Sequence, residues 1–501
     1  MKSRITMKKT LLIFSIIALV IIGTLTLNAQ EKKESTALYS KIDSYLTAGS
    51  KNGFSGAIAV VKNGEVIINN GYGESNKDNK TLNGPNTIFD IGSNTKQFTS
   101  TAILKLVEQN KISVTDSLSK YFIDLPIDKQ SITIHQLLTH TAGFSESIGR
   151  DYSDFGVLSK ISQEDFFKKL FESKLLAMPG EKYSYSNTGY SILGRIIELA
   201  SGQSYEAFLN EHLFRPAGML QTGYIMPKWD TKQMSHGYNR NIIETESTIT
   251  YYREAGGVNW HLKGNGGINS TQNDMLLWYK ALKTNIILTP ESFEKLTTPY
   301  PHTSSPKRTS SYGYGWGVKI LENNSKRIAH SGSNGTYWHN LIWYPKEDIY
   351  IVYATNANSA KVDGIAYVVA KIILDESYVP EPIKNNVYFF TVNYTRQHST
   401  DKSQELLALL QENYADDLRN GGLINSIGNL LIGMLNENLD WALELFKINV
   451  QQYPEDGNLW DSLGDGYKAN NLKEDAIKSY QKAIELGYKD SQEKLTELIK
   501  S

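Results

Sequence analysis

The chain has 501 residues, too many for one hydrophobic core, so two or three domains are expected. Its hydrophobic fraction of 40% and charged fraction of 21% are those of a soluble globular protein, and a net charge of −1 argues against nucleic acid or an anionic membrane surface as a partner. There is no cysteine, which excludes disulfides, thiolate metal sites, a cysteine nucleophile and lipid attachment to a cysteine.

Lys2, Arg4, Lys8 and Lys9 precede an apolar run from Leu11 to Leu27, and Leu27-Asn28-Ala29 precedes a sharply polar Glu31-Lys32-Lys33-Glu34. Residues 1–29 read as a secretory signal peptide, which would deliver the folded part to the periplasm or the medium. An uncleaved membrane anchor is the alternative, since 27 − 11 + 1 = 17 residues borders on spanning length.

Phe54 to Gly73 carries two β-rich runs around Asn63-Gly64, the strongest short hairpin signal, so two antiparallel strands come first. Ser93-Asn94-Thr95-Lys96 follows, just before a helical segment from Thr99 to Gln109. If the helix starts near Ser93, the serine and the lysine share one face and the amine reaches the hydroxyl. A free hydroxyl is a poor nucleophile that needs an adjacent base, and a lysine kept neutral by burial or a neighbouring positive field can be that base. A helix starting there also aims backbone N–H groups at a developing oxyanion.

Ile134 to Phe144 reads as a short helix ended by Gly143; His135 and His140 within it are five apart, do not share a face, and read as structural. Pro179 to Gly189 is a loop running into a helix from Tyr190 to Ala200, closed by Gly202. Tyr185 in that loop is either a packed aromatic or a phenol that shuttles a proton. Asn187 is either a helix cap or an amide that holds substrate or the lysine. Lys263 to Thr271 is a glycine-rich turn into a helix from Gln272 to Leu282, without the spacing of a phosphate loop, and reads as a structural flank of the cleft. Tyr312-Gly-Tyr-Gly-Trp-Gly-Val318 reads as a strand with one face closely approached by backbone or ligand. Two more strands follow between Arg327 and Asn356, with His330-Ser331-Gly332-Ser333 ending the first.

Ser93-x-x-Lys96, Tyr185-x-Asn187 and His330-x-Gly332, in that order, resemble the three-motif set of the serine β-lactamase and penicillin-binding-protein superfamily. The likeness is to its class C-like branch, which also holds esterases, D-aminopeptidases and D-Ala-D-Ala carboxypeptidases. It covers residues 36–375. The resemblance implies an α/β (α+β) fold, an antiparallel sheet flanked by helices with a mostly helical lobe forming the cleft. It implies that Ser93 is acylated, Lys96 is its base or proton relay and Tyr185 returns the proton to the leaving group. Asn187 would hold Lys96 or substrate, His330 and Gly332 would lie in the substrate-binding strand, and the N–H groups of Ser93 and Ser333 would form the oxyanion hole. No cofactor and no metal are implied. The third motif departs from the family's Lys-Thr-Gly: an imidazole with an ordinary pKa near ~6.5 is mostly neutral at pH 7. That departure predicts weaker selection for carboxylate-bearing β-lactams and more scope for esters or amides.

After a linker at 376–403, residues 404–501 read as all-α helical repeats. Ala442 and Phe446 recur as Ala476 and Tyr480, and 476 − 442 and 480 − 446 both give 34. Trp460-x-x-Leu463-Gly464-x-x-Tyr467 with Ala476, Tyr480 and Ala483 resembles the tetratricopeptide pattern of that period, a module that binds peptides or simply packs. The expected function is an extracytoplasmic serine hydrolase acting on an ester, a D-amino-acid peptide or amide, or a β-lactam. The alternative is an inactive fold of the same shape serving as a sensor or peptide-binding module, with the repeats as the interaction site. A Ser-His-Asp hydrolase would carry a Gly-x-Ser-x-Gly elbow, and none is present.

Overall fold

A computed structural model describes residues 32–148, 160–245, 249–250, 252, 257–300, 310–358 and 362–500. The segment read as a signal peptide lies outside them. Among the described residues no helix is long and apolar enough to cross a membrane. The chain divides into two compact units, Met1–Asn239 with Glu244–Lys384, and Arg240–Ile243 with Asn385–Ser501.

The first unit is built on a seven-stranded antiparallel sheet. Its strands, in chain order, are β1 (Gly56–Lys62), β2 (Glu65–Tyr72), β3 (Ser310–Tyr312), β4 (Gly317–Ile320), β5 (Lys326–Ser333), β6 (Trp338–Tyr344) and β7 (Ile349–Thr355). Their spatial order is β2-β1-β7-β6-β5-β4-β3. The β1–β2 hairpin turns at Asn63 and Gly64, both left-handed at φ 53° and 79°, the geometry that Asn-Gly favours. β1 pairs with β7 from Gly56 opposite Thr355 to Lys62 opposite Ile349, so the two ends of the unit close one sheet around a helical lobe carried between β2 and β3.

Every residue of β7 is buried, because helices cover both faces of the sheet. On one face Ile58, Val60, Ile351 and Tyr353 pack with Ile42 and Leu46 of α1 (32–51) and with Ile365, Val369 and Ile373 of a helix near the end of the unit. On the other, Ala59, Val61, Tyr350 and Val352 pack with Phe98 and Ala102 of α2 (Thr95–Glu108) and with Trp278 and Leu282 of a later helix, Gln272–Lys283. α2 is buried on nearly every side, including Lys96, Gln97, Thr99, Ser100 and Thr101. Its polar groups are met by partners brought from elsewhere: Thr99 Oγ1 donates to Gly264 O at 2.6 Å, and Trp278 Nε1 donates to Gln97 Oε1 at 2.7 Å. A helix held this way is a rigid mount for a catalytic group.

Several boundaries differ from the sequence reading. α2 begins at Thr95 rather than Thr99, since burial outweighs the modest helix propensity of its threonines. The Ile134 helix stops at Leu138, because His140 turns left-handed at φ 58°. Tyr312–Val318 is not one strand but the hairpin of β3 and β4, with Gly313 N donating to Trp316 O at 2.7 Å and Gly315 at φ 77°. The close approach expected there is made by backbone: a Cβ on Gly315 would come within 2.7 Å of Lys96 O.

The regular elements of the second unit between residues 385 and 500 are all helices. Residues 376–403, read as a linker, contain helix Val387–Gln397, whose Val392 and Tyr394 join an apolar cluster with Leu406, Ile427 and Trp441. Helices Leu439–Gln452, Gly457–Ala469, Lys473–Glu485 and Ser491–Lys500 complete the unit, with Ala442, Phe446, Ala476 and Tyr480 fully buried. A glycine seats each buried aromatic: an added Cβ would meet the Phe446 ring at 2.5 Å from Gly428 and the Tyr480 ring at 2.4 Å from Gly464.

Candidate active site

Ser93 sits in a tight 3-10 turn, Gly92–Asn94, between the short strand Phe89–Asp90 and α2. Gly92 is left-handed at φ 50° and donates its N–H to Asp90 Oδ1 at 2.7 Å. Asn94 Nδ2 donates to His339 O at 3.1 Å, which ties the turn to β6. The turn is pressed against β5: a Cβ on Gly332 would come within 2.0 Å of Ile91 O and 2.7 Å of Ser93 N, and one on Gly92 within 2.5 Å of Ser333 N. Only glycines permit that approach, and it sets the backbone of Ser333 beside that of Ser93.

Lys96 lies one helical turn on and is fully buried. Its Nζ is 2.7 Å from Asn187 Oδ1, 2.7 Å from Asn265 O and 3.1 Å from Ser93 Oγ. Two carbonyl oxygens take two of its hydrogens, so the third position on nitrogen faces the serine hydroxyl. It carries a lone pair when the amine is neutral and a hydrogen when it is charged. Ser186, not Asn187, caps the helix α3 (Asn187–Ser201), its Oγ accepting from Gly189 N at 3.1 Å.

Tyr185 lines the same cavity as Ser93, and Lys96 Nζ lies 4.8 Å from the Tyr185 ring centroid. Burial raises the Tyr185 pKa well above the phenol range, so the group keeps its proton at neutral pH. His140, 1% exposed, packs its ring 4.4 Å from Tyr185 and 4.6 Å from Tyr312. Its Nδ1 accepts from Ser186 N at 3.0 Å, so this histidine fixes the turn that presents Tyr185.

His330 lies on the cleft wall with both ring nitrogens engaged. Nδ1 is 2.7 Å from Ser331 O and must donate to it, which leaves Nε2 to accept from Tyr312 Oη at 2.8 Å. Burial, and then the charge of Lys96, lower the His330 pKa to about 3. The third-motif position is therefore uncharged at neutral pH. Ser93, Tyr185, His330, Gly332 and Ser333 line one cavity of about 450 Å³. β4 pairs β5 only as far as Ala329, so residues 330–333 present a free strand edge to that cavity.

All seven residues singled out in the sequence thus meet around one turn. Three participants were not foreseen. Asn265 acts through its backbone carbonyl, which no side-chain motif signals, although its glycine-rich run marked a cleft flank. Tyr312 was visible only as part of a glycine-aromatic alternation. His140 is structural, as read, but what it supports is the Tyr185 turn.

The comparisons agree with this geometry. The family profile described as Beta-lactamase matches residues 42–372. PbpX of Bacillus subtilis (strain 168) is 30% identical over 305 residues, covering 60% of this chain and 73% of that one. The crystal structure of a penicillin binding protein from Bacillus halodurans aligns with a TM-score of 0.56 at 25% identity, over 66% of this chain and 98% of that one. A D-amino acid amidase from Ochrobactrum anthropi SV3 aligns with a TM-score of 0.57 over 68% of this chain and 100% of that one, a likeness of fold alone at 20% identity. With a profile spanning well over half its length and the three motifs converging on one cleft, the chain belongs to the beta-lactamase family.

Proposed function

We propose that this protein is a serine hydrolase that works through an acyl-enzyme on Ser93, with an ester, a D-amino-acid peptide or amide, or a β-lactam as acyl donor. The observation that carries the reading is Lys96 Nζ, held by two carbonyl oxygens, 3.1 Å from Ser93 Oγ. Neutral Lys96 takes the hydroxyl proton as Oγ attacks the substrate carbonyl carbon. The oxyanion forms between the N–H groups of Ser93 and Ser333. As the tetrahedral intermediate collapses, Tyr185 gives its proton to the departing group and the proton on Lys96 returns to Tyr185. The acyl-enzyme is left with both groups as they began, and water enters by the same relay in reverse. With His330 uncharged, no cation stands beside the scissile bond at the third motif, which favours esters and amides over β-lactams selected by an adjacent carboxylate.

The N-terminal segment would carry the enzyme out of the cytoplasm. The helices of residues 404–501 would be tetratricopeptide-like repeats, a site for a protein or peptide partner or a packed appendage. A fluorophosphonate probe with mass spectrometry of the intact protein tests the central claim: one adduct is expected on the wild type and none on Ser93→Ala. An adduct that persists in Ser93→Ala refutes the role given to Ser93.

A further inference from the structure

The cavity that holds Ser93 extends past the free edge of β5 to Lys319 on β4 and Arg327 on β5. The two residues stand opposite each other in register, with Cβ atoms on the order of 5 Å apart. Like charges so placed across an antiparallel pair repel and cost stability. Neither has a carboxylate within ion-pair distance among the described residues, and the Arg327 guanidinium lies 5.2 Å from the Tyr367 ring centroid. Among the described residues, no aspartate or glutamate lines the cavity. In a chain whose net charge is −1, a cleft wall with two uncompensated cations and no acid is a local concentration of positive charge.

We propose that Lys319 and Arg327 form an anion subsite for a carboxylate carried by the substrate far from its scissile bond. The inference rests on the hydrolase reading and adds a substrate class to it. Arg327 precedes Ser333 by six residues on one strand, so the anion sits on the order of 10–20 Å from the oxyanion position. The substrate is then an extended acyl or peptidyl chain ending in, or bearing, a carboxylate. A guanidinium fork beside an ammonium suits that group.

The test uses the full chain and two ester series of matched chain length, p-nitrophenyl monoesters of α,ω-dicarboxylic acids from succinate to tetradecanedioate and acetyl esters of ω-hydroxy acids. One series carries the free acid on the acyl side, the other on the alcohol side, and each acid is matched with its methyl ester. The expected result is a ratio of kcat/KM, acid over methyl ester, that rises with chain length to roughly ten- to hundredfold in one series. It should fall with added salt and collapse in Lys319→Gln/Arg327→Gln, but survive in Lys319→Arg/Arg327→Lys. The salt dependence of the wild type needs no substitution and stands even where a variant does not fold.

A ratio near one at every length in both series, on protein that the fluorophosphonate labels, overturns the subsite and leaves the hydrolase reading intact. If the protein is neither labelled nor active, the hydrolase reading falls and calorimetry with dodecanedioate decides. Salt-sensitive binding that needs Lys319 and Arg327 supports the subsite; no binding overturns it.

Discussion

Gly332→Ala is the sharpest available test of how the cleft is assembled. The new methyl would lie 2.0 Å from Ile91 O, 2.7 Å from Ser93 N and 3.0 Å from Asn94 N, all backbone atoms with no rotamer to escape into. Relieving the shortest approach to even a tight ~3.0 Å contact requires roughly 1 Å of movement between β5 and the nucleophile turn. That movement separates the two N–H groups assigned to the oxyanion. A misplacement of ~1 Å, or the loss of one oxyanion donor, costs about 10²- to 10³-fold. Overpacking adds roughly 1–3 kcal/mol of destabilisation. The assay is kcat/KM on a short-chain p-nitrophenyl ester, with fluorophosphonate labelling rate alongside and circular dichroism to verify the fold. Gly84→Ala is the control, because a Cβ there meets nothing within 4 Å. A folded Gly332→Ala enzyme whose kcat/KM stays within about threefold of wild type would refute the argument that β5 and Ser93 are set by that approach.

Two further outcomes follow from the same geometry. Lys96→Met keeps the length of the side chain but removes the amine from Ser93 Oγ, Asn187 Oδ1 and Asn265 O; kcat should drop about 10²- to 10⁴-fold with KM little changed, and a drop below tenfold would assign the proton to another group. His339 is 1% exposed with both ring nitrogens unpartnered, and burial first, then His330, lower its pKa to about 3. Its folded pKa lies below the unfolded value of ~6.5, so the unfolded chain binds the extra proton: stability is full above ~6.5 and is lost as pH falls towards ~3, at up to about 1.4 kcal/mol per pH unit. Urea unfolding between pH 7 and pH 4.5 should show that slope and a shallower one in His339→Gln; equal slopes would sink the assignment.

The parts of this structure that were legible in the sequence are those governed by local rules. Asn63-Gly64 specifies its hairpin because few other dipeptides tolerate two left-handed residues in succession. Gly202 ends α3 in the left-handed conformation for the same reason. The order of the three motifs carried the family and hence the cleft. What stayed hidden depends on distant chain. The early start of α2 follows from burial by the helix Gln272–Lys283 and by the lobe, not from threonine propensity. Asn265 reaches Lys96 across 169 residues through a carbonyl that every residue type possesses. Ser186 rather than Asn187 caps α3 because Lys96 claims the amide, a competition invisible until the two are neighbours.

The altered third motif changes more than one charge. A lysine there would reach into the cleft and select a carboxylate beside the scissile bond. His330 does neither, since Ser331 O and Tyr312 Oη occupy its two nitrogens and hold the ring as part of the wall. With the imidazole spent on structure, what β5 offers a substrate near Ser93 is main-chain N–H and C=O from an unpaired edge, which discriminates shape and extension rather than charge. Among the described residues lining the cavity, charge enters farther along, at Lys319 and Arg327. Restoring a cation at the motif should therefore create a second, competing anchor: His330→Lys should gain turnover of cephalosporins while losing the chain-length dependence of the dicarboxylate esters. A variant that gained the first without losing the second would show that the two positions serve different parts of one substrate.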